Sequence, residues 1–344
     1  MKLGIIGLPQ SGKSTVFEAL TKNISESAHK AEDRIGTIQV PDSRIDVLSK
    51  MYEPQKTIYA QVEYFLPGTA RAKNDQAADQ SIWTAARDCD ALIQVVRNHT
   101  AAGFDEKSPR ADIRHMEQEL ILADLVVVEK RLERIEHDHR RGKKMDPQEH
   151  ALLIDCRQNL ENETPLRRIE DLATARNLRG FAFLSAKPLL VLFNNDDDDD
   201  RKPQIDDIIE PTNCLVIRGQ LEQELSQMSA EDAAEFLNEF SISESATDRV
   251  IQKSYELLGL ISFFTVGKDE VRAWTIKKDT PAVDAAGAIH SDIQKGFIRA
   301  EVLAYDDLME AGTHAAARKK GTVRLEGKTY NVKDGDLINF RFNV

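Results

Sequence analysis

Residues 7–15 have the sequence Gly7-Leu8-Pro9-Gln10-Ser11-Gly12-Lys13-Ser14-Thr15, and this stretch decides the fold. It follows the apolar run 3–6 and precedes the helix-like segment 16–20, so the context is strand, glycine loop, helix. Such a loop points backbone N–H groups at a phosphate, while its Lys reaches the β/γ-phosphates and its Ser hydroxyl faces Mg²⁺. The sequence therefore predicts a nucleotide site that binds phosphate through Pro9, Gln10, Ser11, Gly12, Lys13, Ser14 and Thr15, with Ser14 as the metal ligand.

Short β-like runs recur beyond this loop, and helical patterns separate them. The runs cover residues 59–65, 91–96, 189–193 and 214–217. Strands that alternate with helices favour an open, mostly parallel α/β sheet with the ligand at the carboxyl ends of the strands. The glycine loop lies at such an end.

Composition narrows the class of protein. A chain of 344 residues has room for two or three domains. Its net charge of −12 argues against a general electrostatic grip on nucleic acid, although a local basic face remains compatible with RNA. Because no signal peptide is recognised and no apolar run approaches the roughly 18–20 residues of a membrane span, we expect a soluble, cytoplasmic protein.

Residues 109–168 do not alternate between strand-like and helix-like patterns. They predict a helical hairpin inserted in the sheet domain. Apolar residues recur at helical spacing among charges of both signs, the basic segment 140–144 interrupts them, and Asp146-Pro147 starts a second helix. The hairpin is interpreted either as a packing arm or dimer contact or as a partner-binding arm. Its basic tip is either solvated or faces an anionic partner.

A compact α+β module is predicted after Gly259. Its expected strands are 261–266, 270–276, 297–302 and 337–342, with a helix-like segment over 306–320 and turns at Glu326-Gly327 and Asp334-Gly335. Acids and bases nearly balance in this module, so its charge alone decides nothing about RNA binding.

Several blocks together resemble the YchF subfamily of Obg-related P-loop NTPases. They are G-L-P-Q-S-G-K-S-T at 7–15, V-P-D-S-R-I-D at 40–46, D-A-L-I-Q-V-V-R at 90–97, E-L-I-L-A-D-L at 119–125, V-R-A-W-T-I-K-K at 271–278, A-A-G-A-I-H-S-D at 285–292, K-G-F-I-R-A-E-V at 295–302 and G-D-L-I-N-F-R-F-N-V at 335–344. The resemblance covers the whole chain and is closest at the C-terminus.

This resemblance implies the architecture and the function class. The expected fold is a G-protein-like parallel sheet with an inserted helical coiled-coil arm and a C-terminal TGS domain of the β-grasp, ubiquitin-like type. The corresponding boundaries are 1–109 and 179–258 for the P-loop core, 110–178 for the insertion and 259–344 for the TGS domain. The implied activity is slow Mg²⁺-dependent hydrolysis of ATP or GTP, or a nucleotide switch, with a ribosome or RNA partner at the hairpin and TGS domain.

The switch motifs depart from the family pattern. Where G-proteins carry D-x-x-G, this chain has Phe65-Leu66-Pro67-Gly68, so the acid that holds Mg²⁺ through water is missing. Thr69 follows in place of a hydrophobic residue, residues 71–76 replace a glycine-rich stretch, and the first switch is the polar segment 25–33. Because phosphoryl transfer depends on positioning and on neutralisation of charge, these losses are expected to cost catalysis more than binding.

Base recognition is assigned to residues 194–197 and to the loop after the next strand. Asn194-Asn195-Asp196-Asp197 stands where G-proteins carry N-K-x-D and this family carries N-x-x-E, and Arg218-Gly219 stands in the base loop. The predicted base contacts are Asn194, Asn195, Asp197, Arg218 and Gly219, with Arg218 stacked on or beside the base. The family resemblance favours ATP. Asp197 is also compatible with GTP, because a carboxylate accepts hydrogen bonds from the N1 and N2 hydrogens of guanine. The acidic run 196–200 is alternatively a solvated loop or a weak cation site.

Two functions therefore stand at this point. One is a slow nucleotide-dependent hydrolase or switch. The other is an interaction module in which the nucleotide is a static stabiliser and is not turned over, and the altered switch motifs favour it more than the family resemblance does.

Overall fold

The structure, a computed structural model, describes residues 1–22, 32–68, 82–100, 107–205, 211–239 and 245–343. The strands are β1 (Lys2–Ile6), β2 (Arg34–Gln39), β3 (Lys56–Ile58), β4 (Gln61–Leu66), β5 (Ala91–Asn98), β6 (Leu189–Asn195), β7 (Cys214–Ile217), β8 (Leu260–Val266), β9 (Glu270–Lys277), β10 (Phe297–Ala304), β11 (Arg324–Glu326) and β12 (Asp336–Phe342).

The helices follow the same chain order. They are α1 (Lys13–Thr21), α2 (Ser43–Tyr52), α3 (Pro109–Arg140), α4 (Pro147–Glu161), α5 (Glu170–Ala173), α6 (Gly219–Gln227), α7 (Ala230–Glu239), α8 (Ala246–Leu257), α9 (Ala282–Ile289), α10 (Ser291–Lys295), α11 (Tyr305–Ala311) and α12 (His314–Lys320). Residues 82–87 are also helical, and short 3-10 turns occupy Leu166–Arg168, Arg176–Phe181 and Pro211–Asn213. No helix in the described ranges has both the length and the apolar character that crossing a membrane requires.

The chain forms two compact units, residues 1–37 with 63–250 and residues 38–62 with 251–344. The second unit thus includes α2 and β3, which the domain boundaries expected from the sequence assigned to the P-loop core. The three-part division into core, insertion and TGS domain stays a prediction.

The first unit is built on a six-stranded sheet in the order β2-β4-β1-β5-β6-β7. The pairs β1/β4, β1/β5, β5/β6 and β6/β7 are parallel, which confirms the predicted parallel α/β sheet. All seven residues of β6 are buried, as expected for a central parallel strand covered on both faces. Parallel pairing brings the carboxyl ends of β1, β4, β5, β6 and β7 to one edge, where the glycine loop follows β1.

The predicted helical hairpin is present as α3 and α4, between β5 and β6. Asp146 caps α4 by accepting hydrogen bonds from the N–H groups of Gln148 and Glu149. The Glu149 side chain pairs with Arg131 of α3 at 2.8 Å, which ties the two helices together. A buried apolar cluster that includes Val128, Leu132, Leu153 and Cys156 lies between them.

The second unit has a six-stranded sheet in the order β11-β10-β12-β8-β9-β3. The pairs β12/β8 and β3/β9 are parallel, and β10/β11, β10/β12 and β8/β9 are antiparallel. Helix α9 packs on one face through Ala282, Ala285 and Ala286. The helix expected over 306–320 is two helices instead, because Gly312 takes φ +75° at the end of α11 and Thr313 caps α12.

Candidate nucleotide site

The loop between β1 and α1 is shaped by its two glycines. Gly7 and Gly12 have φ angles of 154° and 92°, which side chains rarely permit. A Cβ atom on Gly7 would lie 2.4 Å from the carbonyl oxygen of Val95, and one on Gly12 would lie 2.1 Å from Nδ2 of Asn194. The backbone therefore packs tightly against β5 and the end of β6, in the manner of a phosphate-binding loop.

Helix α1 leaves its first turn open to an anion. Its N-cap, Gly12, has no side chain with which to satisfy the first N–H groups of the helix. The Ser11 hydroxyl is buried and, within the described residues, has no hydrogen-bond partner. Unpaired N–H groups and a buried hydroxyl are the donors that a phosphate group satisfies. The loop thus fits the phosphate contacts assigned to residues 9–15, which stay a prediction.

Lys13 lies over the loop and supplies its cation. Its ammonium donates to the carbonyl oxygens of Gly7 and Leu8 at 2.9 and 2.8 Å. An ammonium has three donors, so one remains for a phosphate oxygen. Burial lowers the pKa of Lys13 to about 8, because desolvation disfavours the charged form.

This pKa predicts that triphosphate affinity falls as the pH rises above about 8. The free protein then loses the Lys13 proton, whereas a bound triphosphate restores it, so binding takes up about one proton and weakens by up to about tenfold per pH unit. Calorimetric titration in buffers of different ionisation enthalpy measures both quantities. An affinity that is the same one pH unit below and one pH unit above this value would contradict the assignment.

The predicted metal position has a hydroxyl and lacks the acid that G-proteins carry in the switch. Ser14 is the second residue of α1 and is half-buried. Phe65, which replaces the switch acid, is buried at the end of β4, with the Lys2 ammonium 3.9 Å from the centre of its ring. No group of three His, Cys, Asp or Glu residues that suits a metal ion occurs in the part of the chain that the structure describes. Thr69, residues 71–76 and residues 25–31 lie outside the described ranges.

Asn194 joins the glycine loop to the loop after β7. Its side-chain amide donates to the Ser11 carbonyl at 3.1 Å, and its Oδ1 accepts from the N–H of Gly219 at 3.0 Å. A Cβ atom on Gly219 would lie 2.6 Å from this Oδ1, so the glycine is required for the close approach. Asn194 is 5% exposed, and both hydrogen bonds are buried. Asn194 therefore holds the glycine loop and the start of α6, the predicted phosphate and base segments, in a fixed relation.

Asn195 faces a different set of partners. Its Oδ1 accepts from the Asn98 amide at 2.8 Å, and its own amide donates to the carbonyls of Asp199 and Arg201, each at 2.9 Å. These bonds shape the turn that contains the acidic run. The structure thus groups Asn195 with β5 and this turn, and not with the other predicted base residues.

Asp197 and Arg218 lie together at the predicted base position. Asp197 Oδ1 accepts from the N–H of Leu221 at 3.2 Å, and the Arg218 guanidinium donates to the Asp197 carbonyl at 3.4 Å. Both contacts join the end of β6 to the start of α6. The structure therefore brings Asn194, Asp197, Arg218 and Gly219 into one region at the edge of the sheet.

The rest of the acidic run is partly neutralised by neighbouring cations. Asp199 pairs with Arg201 at 2.8 Å, and Asp196 lies 3.6 Å from the Lys107 ammonium. Asp196 also accepts from the N–H of Thr100 at 2.8 Å, and these bonds hold its pKa below the usual value although burial opposes them. The run is thus a structured turn tied to the end of β5.

Two features of this edge were not predicted from the sequence. One is the approach of Gly7 to Val95, and the other is the Asn98–Asn195 pair. The second had a sequence signal, because Asn98 closes a buried apolar strand as Asn194 and Asn195 do. The first had none, since it depends on the spacing of two parallel strands.

Comparison with known proteins gives matches over the whole chain. Residues 260–343 match the family model YchF-GTPase_C, described as "Protein of unknown function (DUF933)". "Ribosome-binding ATPase YchF" of Bacillus subtilis (strain 168) is 36% identical, over 99% of this chain and 99% of its own length. The protein of that name from Escherichia coli O157:H7 is 35% identical, over 100% of this chain and 99% of its own length.

Solved structures are also similar to this chain over nearly its whole length. The Schizosaccharomyces pombe YchF GTPase superposes with a TM-score of 0.84 at 28% identity, covering 99% of this chain and 97% of the other. A GTP-binding protein from Pyrococcus horikoshii OT3 shares the fold, with a TM-score of 0.58 at 18% identity and complete coverage of both chains, 100% each.

Proposed function

Because the chain belongs to the YchF family, we propose that it binds ATP, in preference to GTP, on the loop between β1 and α1 and acts as a slow Mg²⁺-dependent hydrolase or switch on the ribosome. The observation that carries this proposal is the geometry around Asn194. One buried amide binds both the Ser11 carbonyl and the Gly219 N–H, so the phosphate loop and the base loop are preorganised for one nucleotide.

The phosphate chain is assigned to residues 9–15. Backbone N–H groups of the loop and of the first turn of α1 bind the phosphate oxygens, and the Lys13 ammonium neutralises part of their charge. Ser14 is the residue of the loop that would hold Mg²⁺, and the metal would supply further neutralisation of charge.

The choice of ATP rests on the relatives named as ATPases and on the base segment. Asp197 is one carbon shorter than the Glu that the family resemblance implies at this position, and one of its oxygens already accepts from the Leu221 N–H. A carboxylate held in this way has less freedom to reach the paired N–H groups of guanine. This arrangement supports a modest preference for ATP.

Replacing Asp197 by Asn is expected to change the ratio of ATP to GTP affinity and to leave the phosphate contribution intact. An amide presents a donor where the carboxylate only accepts. Titration with both nucleotides and their diphosphates measures the ratio. Asp198→Asn removes the same charge from the next exposed residue and is the matched control. Equal ratios for both variants and the parent chain would contradict the base assignment.

A second candidate function is a nucleotide-stabilised interaction module without turnover. The observation that favours it is Phe65, which fills the position of the switch acid with a buried apolar side chain. Binding without hydrolysis needs the loop and Lys13, whereas hydrolysis also needs a positioned water and full neutralisation of charge.

Calorimetric titration with ATP, GTP and non-hydrolysable analogues, followed by a phosphate-release assay, tests both functions. We expect ATP binding and a turnover on the order of 10⁻⁴ per second, the slow end for unaided GTPases. Binding with no phosphate release supports the module. A tenfold or greater preference for GTP would overturn the choice of ATP, and no binding of any nucleotide would overturn the proposal.

A ribosome or RNA partner is proposed from the names of the relatives, and two surfaces are available for it. At the tip of the hairpin, Arg140 pairs with Glu136 and Lys143 pairs with Asp138, so part of its basic charge is used internally. The second unit carries an arginine face, which we define as Arg299, Arg318 and Arg341.

The arginine face concentrates positive charge. Arg299 and Arg341 are directly opposite on β10 and β12, and such a pair of like charges is unfavourable unless anions lie beside it. Glu301 supplies one negative charge against the three arginines of this face. Arg318 and Arg341 both donate to Glu301, each at 2.5 Å, and this is a buried carboxylate. Across the described ranges, no ion pair is found for Arg299. This face therefore suits the phosphate backbone of RNA.

Arg299→Ala is expected to weaken ribosome binding and to reduce the salt dependence of that binding, with the slope of log affinity against log salt falling by about 1. Co-sedimentation with ribosomes over a series of salt concentrations measures the slope. Lys295→Ala removes another exposed cation, on α10, and serves as the control. A slope unchanged by Arg299→Ala would contradict the assignment of this face to RNA.

A further inference from the structure

Asp33 forms an unexpected contact beside the nucleotide loop. It directly precedes β2, and its carboxylate accepts a hydrogen bond from the backbone N–H of Gly68 at 2.8 Å. Asp33 is exposed, and no ion pair is found for it in the described part of the chain. A single backbone donor thus holds an anionic side chain that is otherwise open to solvent.

Gly68 lies at the same edge of the sheet as the glycine loop. Strands β1 and β4 are parallel neighbours, with Gly4 opposite Phe65. Gly7 and Gly68 each follow three residues after these partners, and each comes just beyond the carboxyl end of its strand. The Gly68 N–H is therefore a donor next to the segment that would bind the phosphate chain.

The start of β2 is anchored to α1, which fixes the place of Asp33. Arg34 pairs with Glu18 at 2.8 Å, and its guanidinium lies 5.0 Å from the ring centre of Phe17. A Cβ atom on Gly36 would lie 2.3 Å from the Thr21 side chain, so this strand packs closely on the helix. Asp33 is thereby held near the helix that carries Lys13 and Ser14.

We propose that Asp33 is an internal competitor for the terminal phosphate of a nucleoside triphosphate. A carboxylate oxygen and a phosphate oxygen are anionic acceptors that take the same backbone N–H, and they repel each other at that distance. In this competition the terminal phosphate displaces the Asp33 carboxylate and takes the Gly68 N–H when it binds. A diphosphate lacks that group and leaves the Asp33 contact in place. The contact thus discriminates between triphosphate and diphosphate and couples the start of β2 to the bound state.

This inference rests on the proposed nucleotide site, and Asp33→Asn tests it. The substitution keeps the size of the side chain and removes its charge. We expect affinity for a non-hydrolysable ATP analogue to rise by about three- to tenfold, the size of one solvent-exposed hydrogen bond, while ADP affinity is unchanged. Calorimetric titration of the full chain with each nucleotide, in the presence and absence of Mg²⁺, gives the ratio. Asp33→Ala, which removes the acceptor as well, is expected to raise the ratio at least as much.

Asp171→Asn carries the same change of charge on α5 and is expected to alter neither affinity. An unchanged ratio in both Asp33 variants would overturn the competition while leaving the nucleotide site intact. A loss of triphosphate affinity that appears only with Mg²⁺ would also overturn it, because Asp33 would then act as a metal ligand. If neither nucleotide binds the parent chain, the proposed function itself fails, and this inference fails with it. Thermal unfolding of each variant checks that the fold is preserved.

Discussion

Asp124→Ala is expected to lower the free energy of unfolding by about 3–5 kcal/mol, the cost of breaking a buried charge pair by removal of one partner. Asp124 of α3 is fully buried, at 0% exposure. Its carboxylate accepts from the N–H groups of Leu184 and Ser185 at 3.0 and 2.7 Å, and pairs with Arg87 at 2.8 Å. An alanine would leave the Arg87 cation without its charge partner, although two backbone carbonyls still accept from it, and would leave two buried N–H donors without an acceptor. Urea denaturation of the full chain measures the loss.

Two further variants separate this network from a general loss of charge. Asp124→Asn keeps one acceptor of the same size and is expected to cost about 1–3 kcal/mol. Asp155→Ala removes an exposed acid from α4 and is expected to stay within about 0.5 kcal/mol of the parent chain. Similar losses for Asp124→Ala and Asp155→Ala would show that the buried contacts of Asp124 do not account for its effect on stability.

Lys13→Ala is expected to weaken triphosphate binding by about 1–3 kcal/mol, the range for a lost charge-assisted contact, which is about fivefold to 150-fold in affinity. Lys13 is the cation that lies over the loop, where its ammonium contacts Gly7 and Leu8. The variant also removes the group assigned to the pH dependence, so its affinity is expected to be flat around pH 8. Titration with ATP and ADP measures both effects.

Lys22→Ala removes a charge from the residue after the same helix and is the matched control. Its nucleotide affinity is expected to stay close to that of the parent chain, because an exposed charge is screened by solvent. If Lys13→Ala leaves triphosphate affinity unchanged, the assignment of residues 7–15 as a phosphate-binding loop is wrong.

Short sequence patterns predicted much of the fold. The spacing of Gly7 and Gly12 before Lys13 predicted the turn from β1 to α1, because glycine takes the positive φ angles of these two positions at no steric cost. Asp146 and Pro147 predicted the start of α4, since a side-chain acceptor followed by proline caps a helix within one turn. Mostly apolar runs predicted β5 and β6, which are buried in the parallel sheet.

The prediction of one helix over residues 306–320 was wrong, because one residue changes the local backbone geometry. The sequence predicted one helix-like segment there. In the structure, Gly312 ends α11 in the left-handed conformation, and Thr313 caps the start of α12. Gly312 is present in the sequence, but a glycine inside a helix-like segment does not by itself mark a helix end. A helix boundary of this kind depends on a single backbone angle, which composition over a window does not resolve.

The candidate site was also predicted from the sequence only in part. The residue types at 194–197 and 218–219 predicted a base segment, and the structure brings Asn194, Asp197, Arg218 and Gly219 to one edge of the sheet. The sequence did not distinguish Asn194 from Asn195. Adjacent residues of a strand point to opposite faces, so one amide reaches the phosphate loop and the other reaches Asn98.

The sequence by itself determined the chemistry that this chain brings to a nucleotide: a glycine loop with one lysine and one serine, two asparagines at a strand end, and a phenylalanine in the place of the switch acid. Only the tertiary structure decided which of these groups meet. The contacts of Asn194 with Ser11, of Asp33 with Gly68 and of Asp124 with Ser185 join residues far apart in the chain. Each depends on strand order and on helix packing, which arise from burial of the whole core and leave no local pattern at the residues they bring together.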